Sequence, residues 1–210
     1  MHIAILGGVF NPIHVGHLKM AEAVYRHTDA DEIWFMPSYN PPHKMNEITD
    51  YIHRKNMVEI SIKDIPYFSC CDIESRYEGQ SYTSLTLARL RDTYREHEFS
   101  FIVGEDEFVA LESWHEPERI FAMCKIYVLP RNQKKASDDA DYNRDELCKY
   151  YKDKYSAQIE FVDMPTYNVS SSDIRASLAT YMDSGDEGAM HDVLPEGVLE
   201  YIKENKLYIS

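Results

Sequence analysis

Long apolar runs and basic residues are scarce in this sequence of 210 residues. No stretch of about 18 consecutive apolar residues occurs, so the sequence predicts no membrane-spanning helix. The opening MHIAIL has neither a basic flank nor a small-residue cleavage site, so we expect no signal peptide. Lys and Arg number 22 against 36 Asp and Glu, which gives a net charge of −14. That balance argues against a nucleic-acid partner and against binding to anionic membranes.

Cysteines are few, and none belongs to a CxxC pair that would hold zinc: Cys70, Cys71, Cys124 and Cys148. Reduced thiols are the simplest interpretation, and they predict a cytoplasmic protein. The hydrophobic content of 44% is that of a globular chain able to bury one domain core. No sequence feature fixes the oligomeric state, so a homo-oligomer stays open.

Short β-rich runs alternate with helical patterns along the chain. We predict strands at His2–Leu6, Glu32–Met36, Phe68–Ile73, Ser100–Val103, Lys125–Leu129 and Ile159–Val162. We predict helices at Gly16–His27, Tyr51–Ile62, Tyr82–Glu96, Pro117–Met123, Glu146–Tyr155, Ser171–Tyr181 and Pro195–Asn205. Nearly continuous apolar strands such as IAIL and IYVL are typical of a parallel sheet covered on both faces.

This alternation predicts an α/β fold with a doubly wound parallel sheet and a small α-rich C-terminal segment. We expect one domain over residues 1–210, with residues 165–210 as a helical C-terminal subdomain. The polar stretch Asn132–Asn143 predicts a solvated loop, and a lid over the site is the alternative.

The segment GGVFNPIHVGH, residues 7–17, leaves the first strand and enters a helix. Its glycines permit close approach of the backbone, and the amides of residues 7–9 can point at anionic oxygens. His14 and His17 can donate hydrogen bonds to a phosphate chain. The absence of GxGxxG argues against a dinucleotide fingerprint, and the absence of GxxxxGK[ST] excludes a P-loop. A plain turn, or an HxxH metal site with a third ligand elsewhere, are the alternatives.

Three serines and an arginine form a second candidate phosphate site. Ser170, Ser171 and Ser172 precede an apolar-periodic helix, with Asp173 in its first turn and Arg175 one turn in. Hydroxyls, free amides and a guanidinium can together surround a phosphate. The alternative is a helix N-cap with extra serines.

Other candidate residues follow the second and fourth predicted strands or begin a helix: Lys44 of YNPPHK, Gly104 and Asp106 of GEDEF, Trp114 of ESWHEP, Tyr82 and Thr83 of SYTSLTL. Asp106 can accept from ribose hydroxyls or hold a metal-bound water, and Trp114 can stack on a ring. Taken singly, these residues have plainer explanations: a rigid turn, helix caps and core packing.

Together these motifs resemble one family, the bacterial nicotinate-mononucleotide adenylyltransferases of the HxGH nucleotidyltransferase superfamily. GGVFNPIHVGH resembles GGxFDPxHxGH, and VSSSDIR resembles ISSTxIR. PPHK, SYTSLTL, IVGEDEF, Trp114 and LPEGVLEYIKENKLY follow in the family's order, so the resemblance spans the whole chain. It implies a Rossmann-like nucleotidyltransferase fold.

The resemblance also implies transfer of AMP from ATP to nicotinate mononucleotide, with release of pyrophosphate and no covalent enzyme intermediate. The implied catalytic residues are His14, His17 and Arg175. The implied ATP contacts are Gly7, Gly8, Val9, Phe10, His14, His17, Gly104, Asp106, Ser170, Ser171, Ser172 and Arg175. The implied nicotinate mononucleotide contacts are Asn11, Lys44, Tyr82, Thr83 and Trp114. Mg²⁺ would arrive with ATP rather than on protein ligands.

The chain departs from the family pattern at four positions. Val9 stands where Ser or Thr is usual, Asn11 replaces Asp, Ser172 replaces Thr, and RNQ after the fifth strand replaces Arg-Pro-Gly, so Arg131 receives no role. Asn11 makes the preference for nicotinate over nicotinamide mononucleotide a question for experiment. A pantetheine-phosphate adenylyltransferase and a non-catalytic nucleotide sensor are the other hypotheses. The pantetheine-phosphate adenylyltransferase family lacks PPHK and SYTxxTL. The intact histidines argue against a nucleotide sensor.

Overall fold

The computed structural model describes residues 1–42, 48–130, 143–165, 167–184 and 188–208, with side chains beyond residue 178 described from residue 190 onward. Its centre is a six-stranded sheet in which every neighbouring pair is parallel, in the order β3-β2-β1-β4-β5-β6. The strands are β1 His2–Gly8, β2 Glu32–Pro37, β3 Phe68–Cys70, β4 Glu98–Gly104, β5 Lys125–Leu129 and β6 Ile159–Phe161. The predicted doubly wound fold is confirmed.

Alternating residues of the central strand feed two separate cores. Ala4 and Leu6 belong to a cluster on one face of the sheet, while Ile3 and Ile5 belong to a cluster on the other. All four side chains are at most 3% exposed. A strand buried on both faces needs no polar positions, which explains its continuous apolar sequence.

Helices cover both faces of the sheet. They are α1 Val15–His27, α2 Tyr51–Ile62, α3 Thr83–Thr93, α4 Glu105–Ala110, α5 Pro117–Met123, α6 Arg144–Tyr155, α7 Ser171–Ser184, α8 Gly188–His191 and α9 Val198–Glu204. Short 3₁₀ turns lie at Ile73–Arg76 and Leu111–Ser113. None of the helices in the described ranges is long and apolar enough to cross a membrane.

Some predicted boundaries were wrong. The third strand ends at Cys70, and Ile73 opens a 3₁₀ turn instead of closing the strand. Helix α3 ends at Thr93 rather than Glu96, and α9 begins at Val198 rather than Pro195. The short helix α4 was not predicted. Its acidic first turn gives no apolar periodicity from which to detect it.

The C-terminal helices pack into the core on the Ala4 face of the sheet. Ile174, Leu178, Val198 and Ile202 are buried there together with residues of α1 and α2. The division of residues 165–210 into a subdomain stays a prediction. The predicted loop and its lid alternative lie outside the described residues, apart from Asn143, which caps α6.

The order of the strands reverses between β1 and β4. From β1 the chain proceeds to β2 and β3 on one side, and then crosses to β4, β5 and β6 on the other. The loops that follow β1 and β4 therefore diverge and leave a crevice at the carboxyl ends of these strands. Gly8 and Gly104 lie at those two ends.

Candidate active site

A cleft of about 320 Å³ opens at this crevice. Its lining is Leu6, Gly7, Gly8, Val9, His14, Gly16, His17, Met20, Met36, Thr83, Phe101, Ile102, Val103, Gly104, Glu107, Trp114, Pro130, Met164, Tyr167 and Val169. Eight of the predicted site residues are therefore brought together: Gly7, Gly8, Val9, His14, His17, Gly104, Thr83 and Trp114. The cleft is mostly apolar with a few polar groups, which is typical of a nucleotide site.

Two glycines let the floor of the cleft pass close to neighbouring groups. A Cβ atom on Gly7 would lie 2.8 Å from Cζ of Phe101. A Cβ atom on Gly16 would lie 2.9 Å from Cγ1 of Val169 and 3.0 Å from the ring of His14. The glycine between the two histidines is therefore required so that the His14 ring can lie over the start of α1.

The two histidines form a stacked pair at the start of this helix. Their ring centroids are 3.7 Å apart, and His14 is 5% exposed. The His14 backbone N–H donates to Nδ1 of His17 at 3.2 Å. Because Nδ1 accepts, the proton of neutral His17 lies on Nε2, which is then the nitrogen that can donate to a ligand. The Phe10 ring lies edge-on to His17 at 5.0 Å and is buried behind it rather than lining the cleft.

The loop between β1 and the histidines is held from α2 by a buried arginine. Arg54 is 1% exposed and donates to the carbonyls of Val9 at 2.7 Å and Thr49 at 2.8 Å. Burial lowers the pKa of Arg54, and the negative charge of Glu74 acts in the opposite direction. These bonds fix the Val9 carbonyl, so the Val9 backbone N–H is left to serve the cleft.

Helix α7 also holds this loop. The Ser171 hydroxyl donates to the Pro12 carbonyl at 2.8 Å, and Arg175 donates to the Asn11 carbonyl at 2.7 Å. Ser170 caps the helix by accepting from the Asp173 backbone N–H at 3.1 Å. The N-cap alternative is therefore correct for one serine, while Ser171 and Arg175 make long-range contacts.

Ser172 also belongs to α7. Its hydroxyl is exposed and lies 3.5 Å from an Arg175 nitrogen. None of the four predicted residues at the start of α7 is in the lining of the cleft: Ser170, Ser171, Ser172 and Arg175.

The Asn11 side chain faces the C-terminal end of the chain. Its Oδ1 accepts from the Tyr208 hydroxyl at 2.9 Å and from the Thr49 backbone N–H at 3.2 Å. Asn11 is 3% exposed and does not line the cleft. Both contacts need only an acceptor oxygen. The Asn11 amide oxygen therefore accepts the same two hydrogen bonds that an aspartate carboxylate would accept at this position.

On the β4 side, Gly104 lines the cleft and precedes α4. The structure places Glu107 of this helix in the lining, whereas Asp106 is exposed outside it. Sequence reasoning named Asp106 and missed Glu107. Nothing local distinguishes the three successive acidic residues of the helix, because only its orientation decides which carboxylate faces the cleft.

Thr83 and Trp114 form another wall of the cleft. Trp114 packs edge-on to Phe101 at 6.1 Å, so its indole is supported from below. Tyr82 stacks on His115 at 4.2 Å beside this wall without lining the cleft. Lys44, the remaining predicted contact, lies outside the described residues.

Several apolar lining residues gave no chemical signal in the sequence: Met20, Met36, Pro130, Met164, Tyr167 and Val169. Met36 and Pro130 could have been found from topology alone, since they lie at the carboxyl ends of β2 and β5. In the described part of the chain, no group of three or more His, Cys, Asp or Glu side chains is arranged to hold a metal ion.

Comparison with known proteins identifies the family. The family model described as Cytidylyltransferase-like matches residues 5–177. The "Probable nicotinate-nucleotide adenylyltransferase" of Shewanella pealeana is 36% identical over 215 residues, which cover 99% of this chain and 96% of the relative. The protein of the same name from Lachnoclostridium phytofermentans is 36% identical over 209 residues, which cover 99% and 98%.

A solved structure shares the fold. Nicotinic acid mononucleotide adenylyltransferase of Plasmodium falciparum, complexed with NaAD, superposes with a TM-score of 0.80 at 21% identity, covering 99% of this chain and 97% of that one. The same enzyme complexed with APC gives a TM-score of 0.78 at 21% identity, covering 99% and 96%. The resemblance of the motifs is confirmed over the whole length. The chain belongs to the cytidylyltransferase-like family and, within it, to the nicotinate-nucleotide adenylyltransferases.

Proposed function

We propose that this protein transfers AMP from ATP to nicotinate mononucleotide. An oxygen of the mononucleotide phosphate attacks the α-phosphorus of ATP in line. The bond to the oxygen that bridges the α- and β-phosphates breaks, which yields nicotinate adenine dinucleotide and pyrophosphate. The observation that carries this proposal is the stacked His14–His17 pair, 3.7 Å apart, in the crevice between β1 and β4.

The histidines act on the phosphate chain of ATP. We propose that His17 donates from Nε2 to the triphosphate while His14 supports its ring, so that both favour the charge that develops during transfer. The amides of Gly7, Gly8 and Val9 approach the same oxygens. No protein nucleophile is needed, because the attacking group belongs to the substrate, and catalysis rests on positioning and charge.

Helix α7 adds positive potential at the leaving group. We propose that the N-terminus of this 14-residue helix directs its dipole toward the phosphates. Since the hydroxyls of Ser170 and Ser171 are engaged in a cap and in the Pro12 contact, we propose that these serines place the helix. Ser172 and the second Arg175 nitrogen are proposed to meet the phosphates.

The remaining proposed roles divide between the two walls of the cleft. Gly104 contacts the adenosine side, and Trp114 stacks on the pyridine ring beside Thr83. Asp106 and Tyr82 lie outside the lining and keep only their predicted roles as contacts. Phe10 and Asn11 are buried outside the lining, so we propose that they shape the loop after β1 rather than touch the substrate. Lys44 stays a predicted contact. Mg²⁺ belongs to the substrate, since it prefers phosphate oxygens and water. A cytoplasmic location is proposed from the sequence.

Pyrophosphate release tests the function. The enzyme is supplied with ATP and Mg²⁺ and separately with nicotinate mononucleotide, nicotinamide mononucleotide or phosphopantetheine. We expect strong preference for the first. His17→Ala should reduce kcat by about 100-fold or more, because a charge-stabilising donor is lost. His27→Ala is the matched control, since His27 is an exposed residue at the other end of the same helix.

Two results would change the assignment. Equal or better turnover of the amide would make the enzyme dual-specific or nicotinamide-directed, in agreement with the Asn11 departure. ATP binding without turnover of any acceptor would favour a nucleotide sensor.

A further inference from the structure

Two buried charged side chains lie beneath the loops that surround the cleft. Arg54 and Glu74, at 1% and 5% exposure, are the only Lys, Arg, Asp or Glu among the buried residues that the structure describes. Arg54 holds the loop between β1 and the histidines. Glu74 lies in the 3₁₀ turn Ile73–Arg76, which has no place in the proposed reaction. A buried carboxylate is costly unless it accepts hydrogen bonds, so its partners indicate its use.

Both oxygens of Glu74 accept hydrogen bonds from segments that approach the mononucleotide side. Oε2 accepts from the Tyr39 backbone N–H at 3.0 Å, and Oε1 accepts from the Thr86 hydroxyl at 2.9 Å. Tyr39 lies in the loop after β2, and Thr86 lies in the first turn of α3. The Thr86 hydroxyl is also 3.1 Å from the Tyr82 carbonyl, at the start of the same helix.

The same two segments are joined directly. The Asn40 backbone N–H donates to the Ser81 hydroxyl at 3.0 Å, and the Ser81 N–H donates to the Asn40 carbonyl at 2.8 Å. The Asn40 side chain donates to the Gly79 carbonyl at 3.0 Å. The loop after β2 is also tied to β1, because the Ser38 N–H donates to the Gly8 carbonyl at 2.9 Å. These contacts connect the wall residue Thr83 to the floor of the cleft.

We propose that Glu74 is a positioning residue for the acceptor substrate, fixing the start of α3 and the loop after β2 in the geometry that receives nicotinate mononucleotide. The inference rests on the proposed function. Glu74 touches neither substrate nor the reacting atoms. Its contribution is pre-organisation, which lowers the cost of ordering these two segments when the acceptor binds.

Glu74→Ala, Glu74→Gln and Asp72→Ala test the proposal through the KM of each substrate. Glu74→Ala should raise the KM for nicotinate mononucleotide about tenfold, as expected for the loss of charge-assisted bonds, with the KM for ATP within about twofold of wild type. Glu74→Gln should restore the KM nearly to wild type. Its amide oxygen accepts from Tyr39, and its NH₂ donates to Thr86, whose proton then turns to the Tyr82 carbonyl.

Asp72→Ala is the matched control. This partly exposed carboxylate precedes the same turn and pairs with Arg76 at 2.6 Å, so neither KM should change. If Glu74→Ala does not fold, Thr86→Val decides, because it removes one partner and keeps the carboxylate. That variant should raise the KM for the mononucleotide selectively.

Three outcomes would overturn the assignment: unchanged KM values in Glu74→Ala, equal increases for both substrates, or a Gln variant as defective as the Ala variant. Wild-type protein without turnover of nicotinate mononucleotide would instead refute the proposed function itself.

Discussion

At the scale of single residues, Gly16 has little space for a side chain. An alanine Cβ would meet Cγ1 of Val169 at 2.9 Å and the His14 ring at 3.0 Å, so both side chains must shift by a few tenths of an ångström. We expect Gly16→Ala to lower kcat by about tenfold while the protein still folds, since catalysis depends on the position of the ring. Pyrophosphate release and thermal unfolding measure the two quantities.

Lys19→Ala provides the comparison for Gly16→Ala, because Lys19 is exposed on the same helix. It should leave kcat unchanged. Wild-type kcat in Gly16→Ala would show that the position of the His14 ring does not limit the reaction.

At the scale of elements, the C-terminal end of the chain braces the loop after β1 through the Tyr208 hydroxyl and Asn11. Burial raises the pKa of Tyr208 to about 12. Because the folded-state pKa lies above the unfolded value of about 10, the resulting stability is complete below pH 10 and is lost between pH 10 and about 12.

Tyr208→Phe removes this titration. We therefore expect the free energy of unfolding of wild type to fall more steeply than that of the variant over this interval, by on the order of 2 kcal/mol in total. Denaturant unfolding at a series of pH values measures the slopes. Tyr77→Phe, at an exposed tyrosine, should follow the wild-type curve. Parallel slopes for wild type and Tyr208→Phe would refute the role of this phenol.

Elements with strong apolar patterns were predictable, while the contacts that assemble the site were not. IAIL and IYVL predicted buried parallel strands because each residue faces one of two cores. The bond from Arg175 to the Asn11 carbonyl joins residues 164 positions apart, and no local pattern encodes that pairing. Arg54 and Glu74 read as ordinary surface charges in sequence, since only the packed structure shows that both are buried.

At the scale of the whole molecule, topology made the location of the site predictable. The glycines at the carboxyl ends of β1 and β4 lie at the same edge of the sheet, whatever the conformations of the loops. Which helix face turned toward the cleft depended on packing. That is why Glu107, rather than Asp106, lines it.

The net charge of −14 also acts on the whole molecule. Self-repulsion destabilises the folded state, and salt screens it as the Debye length falls from about 30 Å at 0.01 M to about 8 Å at 0.15 M. We expect Tm to rise by about 2–4 °C over this range of NaCl, which corresponds to about 1 kcal/mol. A falling Tm would show that surface ion pairs such as Arg26–Glu22 outweigh the repulsion.

The proposed reaction is a single in-line displacement at the α-phosphorus of ATP within the His14–His17 cleft. Its most direct test is the stereochemical course with ATP that carries a chiral thiophosphate at the α-position and with nicotinate mononucleotide as acceptor. We expect a dinucleotide with inverted configuration at that phosphorus. Retention would require two displacements through an enzyme nucleophile and would refute the single displacement.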